Sequence, residues 1–517
     1  MPSYLSPGVY MEEVSSGSKP IEGVGTAVCA FVGFAQKGPY NEPTLVTNWT
    51  QFTQAFGDFT EGAYLAHAVY GYFLNGGGTA YVVRIGGGQE QEPETASPAQ
   101  AELTAGSGDS ARPALVVRVK ESDAEAAPSL SVVVTEPSEP AEGTFKLVIK
   151  QDGKEKETFD NVTVKKGPRN VVHAVRQRSR LIVIEEAKGA AQLVPNHGEV
   201  DLPAPAAPDS ESAPERVSAS DYVGDSGDRT GFAGLEAIDE VTMLSVPDLM
   251  SAYRDGLIDL EGVKAVQLGM IAHCELMADR MAILDPPPQM NAQQIKTWRS
   301  ETAGYDSKYA TLYWPWVKVM DPAAGKAVHI PPSGHLAGVW ARNDATRGVH
   351  KAPANEVVRG AISLELNITR GEHDQLNPIG VNCIRAFPGQ GIRVWGARTL
   401  ASDAEWRYIN VRRLFNFVEE SILQGTNWVV FEPNDQKLWD SVKRTVTMFL
   451  RGVWRDGALF GRIPDQAFFV KCDEENNPPS SRDQGILNVE IGIAPVKPAE
   501  FVVFRISQYA DGAGLEE

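Results

Sequence analysis

A chain of 517 residues, 42% of them apolar, is long enough for about three domains and apolar enough to bury a core, which excludes global disorder. Acid exceeds base, 67 residues against 48, and the resulting formal charge of −19 excludes nucleic acid as a partner of the chain as a whole, because phosphate binding needs a basic footprint. No apolar run approaches the roughly 18 residues of a membrane-spanning helix, so direct membrane insertion is not expected. The opening MPSYLSPGVYMEEV has neither the basic nor the apolar region of a secretory signal. Cys29, Cys274, Cys383 and Cys472 lie far apart and read as reduced thiols of a cytosolic chain, not as a disulfide frame or a zinc site.

In chain order, residues 1–25 are rich in proline and glycine, with an extended-looking stretch from Val9 to Val14 that cannot bury itself alone. Residues 26–34 form an apolar strand, 63–74 a mainly buried helix stopped by Gly76–Gly78, and Ala80–Ile85 a second strand, which together make a β-α-β unit. The composition then shifts. Segments 89–142 (eleven acids, three bases) and 185–228 (ten acids, two bases) are each net −8, whereas 143–184 (ten bases, four acids) is net +6. Short strands are expected at Ala114–Val119, Leu130–Thr135, Thr144–Lys150, Thr158–Val164 and Leu181–Ile184, with Asp152–Gly153 as a hairpin turn. Residues 89–228 therefore read as a small β-rich domain inserted through acidic, proline-rich linkers.

The α/β pattern resumes with a strand at 241–246, a helix near 259–280, a strand at Met281–Leu284, a helix at 291–301 and a strand around 309–319. A helix from Ser333 to Arg342 and strands at 379–386 and 392–396 follow. Ser402–Glu405 has the spacing of a capping box that would open a helix to Leu423. Beyond it come a strand at Trp428–Phe431 and a helix from Asp435 to Arg455. That helix has an apolar stripe (Leu438, Val442, Val446, Phe449, Val453) and an opposite basic face (Lys443, Arg444, Arg451, Arg455). Strands at 467–471, 486–493 and 501–508 complete an α+β layer.

Chemistry is sparse. None of the glycine clusters (76–78, 86–88, 224–231) has a phosphate-loop or dinucleotide spacing, so no nucleotide or other cofactor is expected. Asp221, Asp225 and Asp228 do not fit a calcium loop, and neighbouring His273 and Cys274 point to different sides of a helix, so no metal is expected. In PPSGHLAGVWAR, His335 at the start of a helix is placed like the histidine of subtilisin-type proteases. That chemistry also needs a nucleophile motif and an oxyanion donor, and the chain offers no GxSxG or equivalent, so no catalytic residue is assigned and no enzyme is expected.

The blocks SPGVYMEEV…GVGTAVCAFVGFAQKGP, GVWARNDATRGVHKAPANE (338–356), NPIGVNCIRAFPGQGIRVWGARTL (377–400), WRYINVRRLFNFVEESI (406–422) and FEPNDQKLWDSVKRTVTMFLRGVWRDGAL (431–459) resemble contractile tail sheath proteins of phages, tailocins and phage-like injection systems, in order and over roughly 1–85 and 230–510. The resemblance implies a subtilisin-like α/β middle domain (26–88 and 229–400) without a catalytic site and an α+β C-terminal domain (401–485) that faces an inner tube. Around these it places an extended N-terminal linking arm (1–25), C-terminal strands and a linking arm (486–517), and the insertion 89–228 as an outer domain. It further implies a subunit that polymerises helically with itself around an inner tube protein, meets baseplate and terminal cap proteins, assembles in the bacterial cytoplasm, and contracts to drive the tube through a target envelope. Because a helical filament needs interfaces that do not close, Val9, Tyr10 and Met11 at one end and Leu487, Val489, Ile491, Val502, Phe504 and Ile506 at the other are the candidate subunit-linking residues. The basic face Lys443, Arg444, Arg451 and Arg455 is the candidate tube-facing surface. The alternative is a non-contractile surface or capsid-like structural or adhesive protein.

Overall fold

The structure is a computed structural model, and it describes residues 20–86, 100–105, 112–119, 130–151, 153–165, 167–179, 181–186, 193–202 and 216–505. The chain divides into two compact units, one formed by the residues up to Gly87 and from Ser212 onward, the other by Gly88–Glu211.

The larger unit is built on an eight-stranded sheet. Its strands are β1 (Val28–Gly33), β2 (Thr44–Val46), β3 (Thr79–Arg84), β4 (Met243–Ser245), β5 (Met281–Leu284), β6 (Ala310–Trp314), and, after β7 (Val317–Met320), β8 (Ala327–Ile330) and β9 (Ala361–Leu364), β10 (Val381–Phe387) and β11 (Gly391–Val394). The spatial order is β11-β10-β6-β5-β4-β1-β3-β2, parallel from β10 through β3 with an antiparallel strand at each edge. β1 is buried along five of its six residues, and β4, β5 and β6 along all of theirs. Strands covered on both faces need continuous apolar runs rather than alternation, and VCAFVG and MAIL supply them.

Helices α1 (Trp49–Phe56), α2 (Leu65–Asn75), α3 (Leu260–Met277) and α4 (Ser333–Arg347) belong to this layer. Asn48 and Asp259 cap α1 and α3 by accepting the Gln51 and Gly262 amides at 2.9 and 2.8 Å. α2 and α4 pack through glycine: a Cβ on Gly334 would stand 2.4 Å from the Ala68 Cα, and one on Gly338 2.4 Å from the Tyr72 carbonyl. Side chains there would force the helices apart.

The expected strand around 309–319 is two strands broken at Pro315. β6 stays in the main sheet, while β7 pairs antiparallel with β8 and β9 in a separate three-stranded sheet. The C-terminal domain consists of α5 (Ile409–Gly425), α6 (Gln436–Arg455) and the antiparallel pair β12 (Phe468–Lys471) and β13 (Glu490–Ile493), around a core of Leu414, Val418, Trp439, Val442, Val446, Leu450 and Phe468.

Two local expectations fail here for physical reasons. Ser402 does not cap a helix, because its amide and hydroxyl are both taken by Asp306, at 2.8 and 2.6 Å, and α5 begins only at Ile409. Trp428–Phe431 is not a strand: it has no partner strand among the described residues, and Asn427–Val429 instead forms a 3₁₀ turn held by the Val429 amide on the Thr426 carbonyl.

The Gly88–Glu211 unit has its own core, including Leu103, Leu115, Val117, Phe145, Leu147, Ile149, Phe159, Val175 and Ile184. Strands Gly198–Leu202, Leu130–Thr135, Thr144–Gln151 and Lys154–Thr163 form one antiparallel sheet in that order, and Gln100–Ala105, Arg112–Val119 and Ile182–Glu186 another. The expected hairpin joins Thr144–Gln151 to Lys154–Thr163, with Gly153 at φ +76°. The insertion ends earlier than the expected 228. Residues 216–228 belong to the larger unit, where Val217 and Tyr222 are buried in the α/β core and the Tyr222 hydroxyl donates to the Asp248 carbonyl at 2.9 Å.

Candidate assembly surfaces

In an open parallel sheet, ligands bind beyond the carboxyl ends of the strands where the strand order reverses. Here that point lies between β1 and β4, and it is filled. Asp248, fully buried just beyond β4, accepts the Phe34 amide at 2.7 Å and the amides of Tyr64 and Leu65 at the start of α2. It is a helix cap supplied from another part of the chain. Burial pushes its carboxyl up to about 7, against the pull of those three donors and of Arg254. Beyond β5, Asp285 does the same for α4, accepting the Ser333 amide at 2.9 Å and its hydroxyl, while the Ser245 and Ser333 hydroxyls meet at 2.9 Å. Burial pushes Asp285 up to about 7 as well.

His335, the protease-like histidine, is 2% exposed in the α2–α4 seam, opposite Gly71. Burial, then the nearby His67, lowers its pKa to about 4. Ser333 is bound to Asp285 rather than to this ring. Asp225 is likewise committed, accepting the Gly227 and Asp228 amides at 2.7 and 3.0 Å. Among the described residues no cluster of histidine, cysteine and carboxylate side chains could hold a metal, and no helix is long and apolar enough to cross a membrane.

The C-terminal domain presents a different surface. β12 and β13 pair only with each other among the described strands, so each has an open edge of backbone donors and acceptors. Of the candidate linking residues, Leu487, Val489 and Ile491 are half-buried against the domain's own core, and Ile491 pairs with Val470 across the β12–β13 ladder. All three pack against the apolar cluster that includes Trp439, Val442 and Val446.

Towards the end of the described chain, Glu500 is anchored to the α/β layer. That carboxylate receives Arg398 through Nε and NH2 at 2.9 and 2.7 Å, the Asn377 amide at 2.8 Å and the Tyr408 hydroxyl at 2.9 Å. Burial alone would raise its pKa, but the Arg398, Asn377 and Tyr408 donors outweigh burial and hold it below the usual carboxylate range. Directly after this anchor, Phe501, Val502, Val503 and Phe504 are 73%, 69%, 76% and 84% exposed, and residues 501–505 form no strand within the subunit. Val502 and Phe504, two of the candidate linking residues, are thus exposed. Val9, Tyr10, Met11 and Ile506 lie outside the described residues.

On α6, Leu438, Trp439, Val442, Thr445, Val446, Leu450 and Val453 are buried, and Phe449 packs on Phe417 with ring centroids 6.0 Å apart. Lys443, Arg444, Arg451 and Arg455 are all exposed and make no ion pair among the described residues. Sequence reasoning missed the joint between the domains. Arg413 of α5 and Asp344 of α4 form a buried two-pronged ion pair at 2.6 and 2.9 Å. Arg413 also donates to the Thr26 carbonyl at 2.8 Å, and the Thr26 hydroxyl donates to Asp344 at 2.7 Å. The Arg413 guanidinium lies 4.7 Å from the Trp340 ring centroid. An arginine within the apolar seam of α5 was the available signal.

Comparison with known proteins agrees with this architecture. Residues 227–400 match the phage tail sheath protein central domain and residues 401–508 the phage tail sheath C-terminal domain. The tail sheath protein of Burkholderia phage BcepMu is 24% identical over 519 residues, covering 96% of this chain and 95% of that protein. The tail sheath protein of Vibrio phage KVP40 is 29% identical over 192 residues, and a putative prophage major tail sheath protein of Pseudomonas aeruginosa (strain UCBPP-PA14) 29% over 232. The matched parts span 28% and 57% of those two proteins. Among solved structures, the contracted helical sheath of the anti-feeding prophage aligns with a TM-score of 0.58 at 23% identity, over 97% of this chain and 99% of that one. The contracted sheath complex of the PVC extracellular contractile injection system aligns with a TM-score of 0.58 at 21% identity, over 98% and 99%. With two consecutive sheath domains matched over more than half of its length, the chain belongs to the contractile tail sheath family.

Proposed function

We propose that this chain is the structural subunit of a contractile sheath, polymerising helically around an inner tube and contracting to drive that tube through a target envelope. The observation that carries the reading is that the C-terminal domain combines an open two-stranded sheet with an exposed apolar run, Phe501–Phe504, that has no partner strand among the described residues. In a monomer such features invite aggregation; in a polymer they are the contact. Backbone pairing between an arm and a neighbour's β12–β13 edge survives while the rigid bodies rotate, which suits a sleeve that changes shape without dissolving. The N-terminal residues 1–20 supply the second arm.

The basic face of α6 meets the inner tube, in a contact made of exposed charges individually worth about 0–1 kcal/mol and therefore releasable together. Baseplate and terminal cap proteins close the ends of the sleeve. The middle layer is a subtilisin-like α/β domain used as a scaffold, a reading supported by the committed state of Asp248, Asp285 and Ser333. The work of contraction then comes from the assembly itself, with the extended sleeve a kinetically trapped state.

The test is removal of residues 1–20 from the full chain. The truncated protein should keep its folded body and lose the ability to form sleeves that contract. Normal assembly and contraction would refute the arm mechanism.

A further inference from the structure

The Gly88–Glu211 unit concentrates positive charge in a chain that is otherwise acidic. Segment 143–184 is net +6 within a chain of −19. Four of its cations, Lys165, Arg169, Arg176 and Arg178, are exposed, and they lie on the helix Val171–Arg178 and the turn that leads into it. The local backbone brings them together. The strand Lys154–Thr163 turns back on itself through the Thr163 amide bonded to the Arg169 carbonyl at 2.8 Å. Asn170 then caps the helix Val171–Arg178, accepting the His173 amide at 3.1 Å and donating to the Val164 and Lys165 carbonyls at 3.3 Å. Val171 and Val175 pin that helix into the core, which leaves Arg176 and Arg178 outside. The Arg178 guanidinium lies 5.6 Å from the Phe159 ring centroid, so the helix end and the strand share this corner.

None of the four cations makes an ion pair among the described residues, and the helix contains no acidic residue. On the neighbouring strand, Asp160 is committed to the backbone amides of Ser138 and Asn161 at 3.1 and 2.9 Å.

The surroundings say what kind of partner fits. Protein–protein interfaces are organised around a desolvated apolar or aromatic core. In this unit the only large hydrophobic residue exposed among the described residues is Val194, at 37%. The apolar exposure of the larger unit includes Phe431, Phe460 and Phe501–Phe504, all of them in the C-terminal region. A purely polar, multiply cationic corner matches a hydrated polyanion, whose spaced phosphates, sulfates or carboxylates are bound by charge and counterion release.

We propose that the Lys165–Arg169–Arg176–Arg178 corner of the inserted unit is a binding surface for an anionic polysaccharide, which makes the insertion an adhesive element carried on the assembled protein.

The experiment uses the full chain and heparin as the probe. Wild-type protein should be retained on immobilised heparin at low salt despite its charge of −19, and should elute as salt rises. The triple reversal Arg169→Glu, Arg176→Glu, Arg178→Glu should weaken heparin binding at least about tenfold and flatten its salt dependence by roughly one unit of slope per cation lost. A reversal of the other basic face, Lys443→Glu, Arg444→Glu, Arg451→Glu, should leave retention unchanged. Should the triple reversal fold poorly, the neutral pair Lys165→Gln, Arg169→Gln should still lower the elution salt. Failure of the wild type to bind, or equal retention by the triple variant, would overturn the proposal. So would loss of binding only in the α6 variant. Reduced cohesion between subunits with heparin retention intact would also overturn it, and would assign the corner to a second copy of the chain.

Discussion

Removing Asp344 should loosen the joint between the α/β layer and the C-terminal domain without touching the inserted unit. In the native structure the Arg413 side chain is 4% exposed and the Asp344 side chain 5%, and all four hydrogen bonds that satisfy the pair involve an Asp344 oxygen or Thr26. Asp344→Ala leaves the guanidinium with the Thr26 carbonyl and the Trp340 face as its remaining neighbours, and leaves the Thr26 hydroxyl without its acceptor. Breaking a buried pair from one side costs about 3–5 kcal/mol, because the remaining charge is desolvated and unpaired. Replacing both partners with apolar residues of similar volume, Asp344→Leu with Arg413→Met, should recover most of that loss.

A chain of two units need not unfold in one step, so the appropriate assay is native-state amide hydrogen exchange read by peptide. Peptides from α4 and α5 should open more easily by about 3–5 kcal/mol in Asp344→Ala and by far less in the double variant, while peptides from Gly88–Glu211 stay unchanged. A loss below about 1 kcal/mol in α4 and α5, or one spread evenly over both units, would refute the claim that this ion pair holds the joint.

Three further outcomes are expected. Reversing Lys443, Arg444 and Arg451 to Glu should uncouple sleeve formation from the inner tube without unfolding the subunit; tube-filled extended sleeves at both low and high salt would show that another surface faces the tube. Replacing the insertion by a short Gly/Ser linker should be tolerated when the cut ends at 211, whereas a cut extended to 228 removes buried Val217 and Tyr222 and should cost several kcal/mol in thermal or urea unfolding, on the order of 3–5 for the aromatic alone. His335→Gln should change the pH dependence of stability in a defined direction. The folded-state pKa of His335 is lowered to about 4 from an ordinary 6.5, so the unfolded chain binds more protons in between, and wild-type stability is lost as pH falls from 6.5 toward 4. Asp248 and Asp285, raised to about 7, act with the opposite sign. The informative quantity is therefore wild type minus variant, which should shrink on acidification through that window; a difference independent of pH would contradict the assignment.

The parallel core was legible in the sequence because its strands announce themselves as unbroken apolar runs between glycine and proline punctuation: VCAFVG, MAIL and the first half of YATLYWPWVKV. α6 was legible through its stripe and α2 through its glycine stop. What failed was decided by distant partners. Ser402 has the local spacing of a cap, but Asp306, remote in sequence, claims both of its hydrogen-bonding groups. Trp428–Phe431 has strand composition but no ladder to join. Tyr222 lies in a segment whose acids and glycines read as linker, yet one aromatic ring is enough to tie it to the core beneath Asp248. The arms were legible only in outline. Alternation marks Leu487, Val489 and Ile491 as strand-like, but it does not name the partner; within the subunit Ile491 pairs with Val470 of β12, and all three residues are half-buried. The Arg398–Glu500 ion pair joins residues far apart in sequence and leaves no local pattern.

Electron microscopy of the purified protein polymerised with and without its inner tube protein tests the central claim most directly. A contractile sheath subunit predicts hollow helical sleeves in two forms, long and narrow around the tube or short and wide without it, with density for an added strand at the open edge of β12 or β13 from a neighbouring subunit. Discrete closed shells, monomers, or sleeves of a single fixed geometry whose β12–β13 sheets remain two-stranded would contradict it.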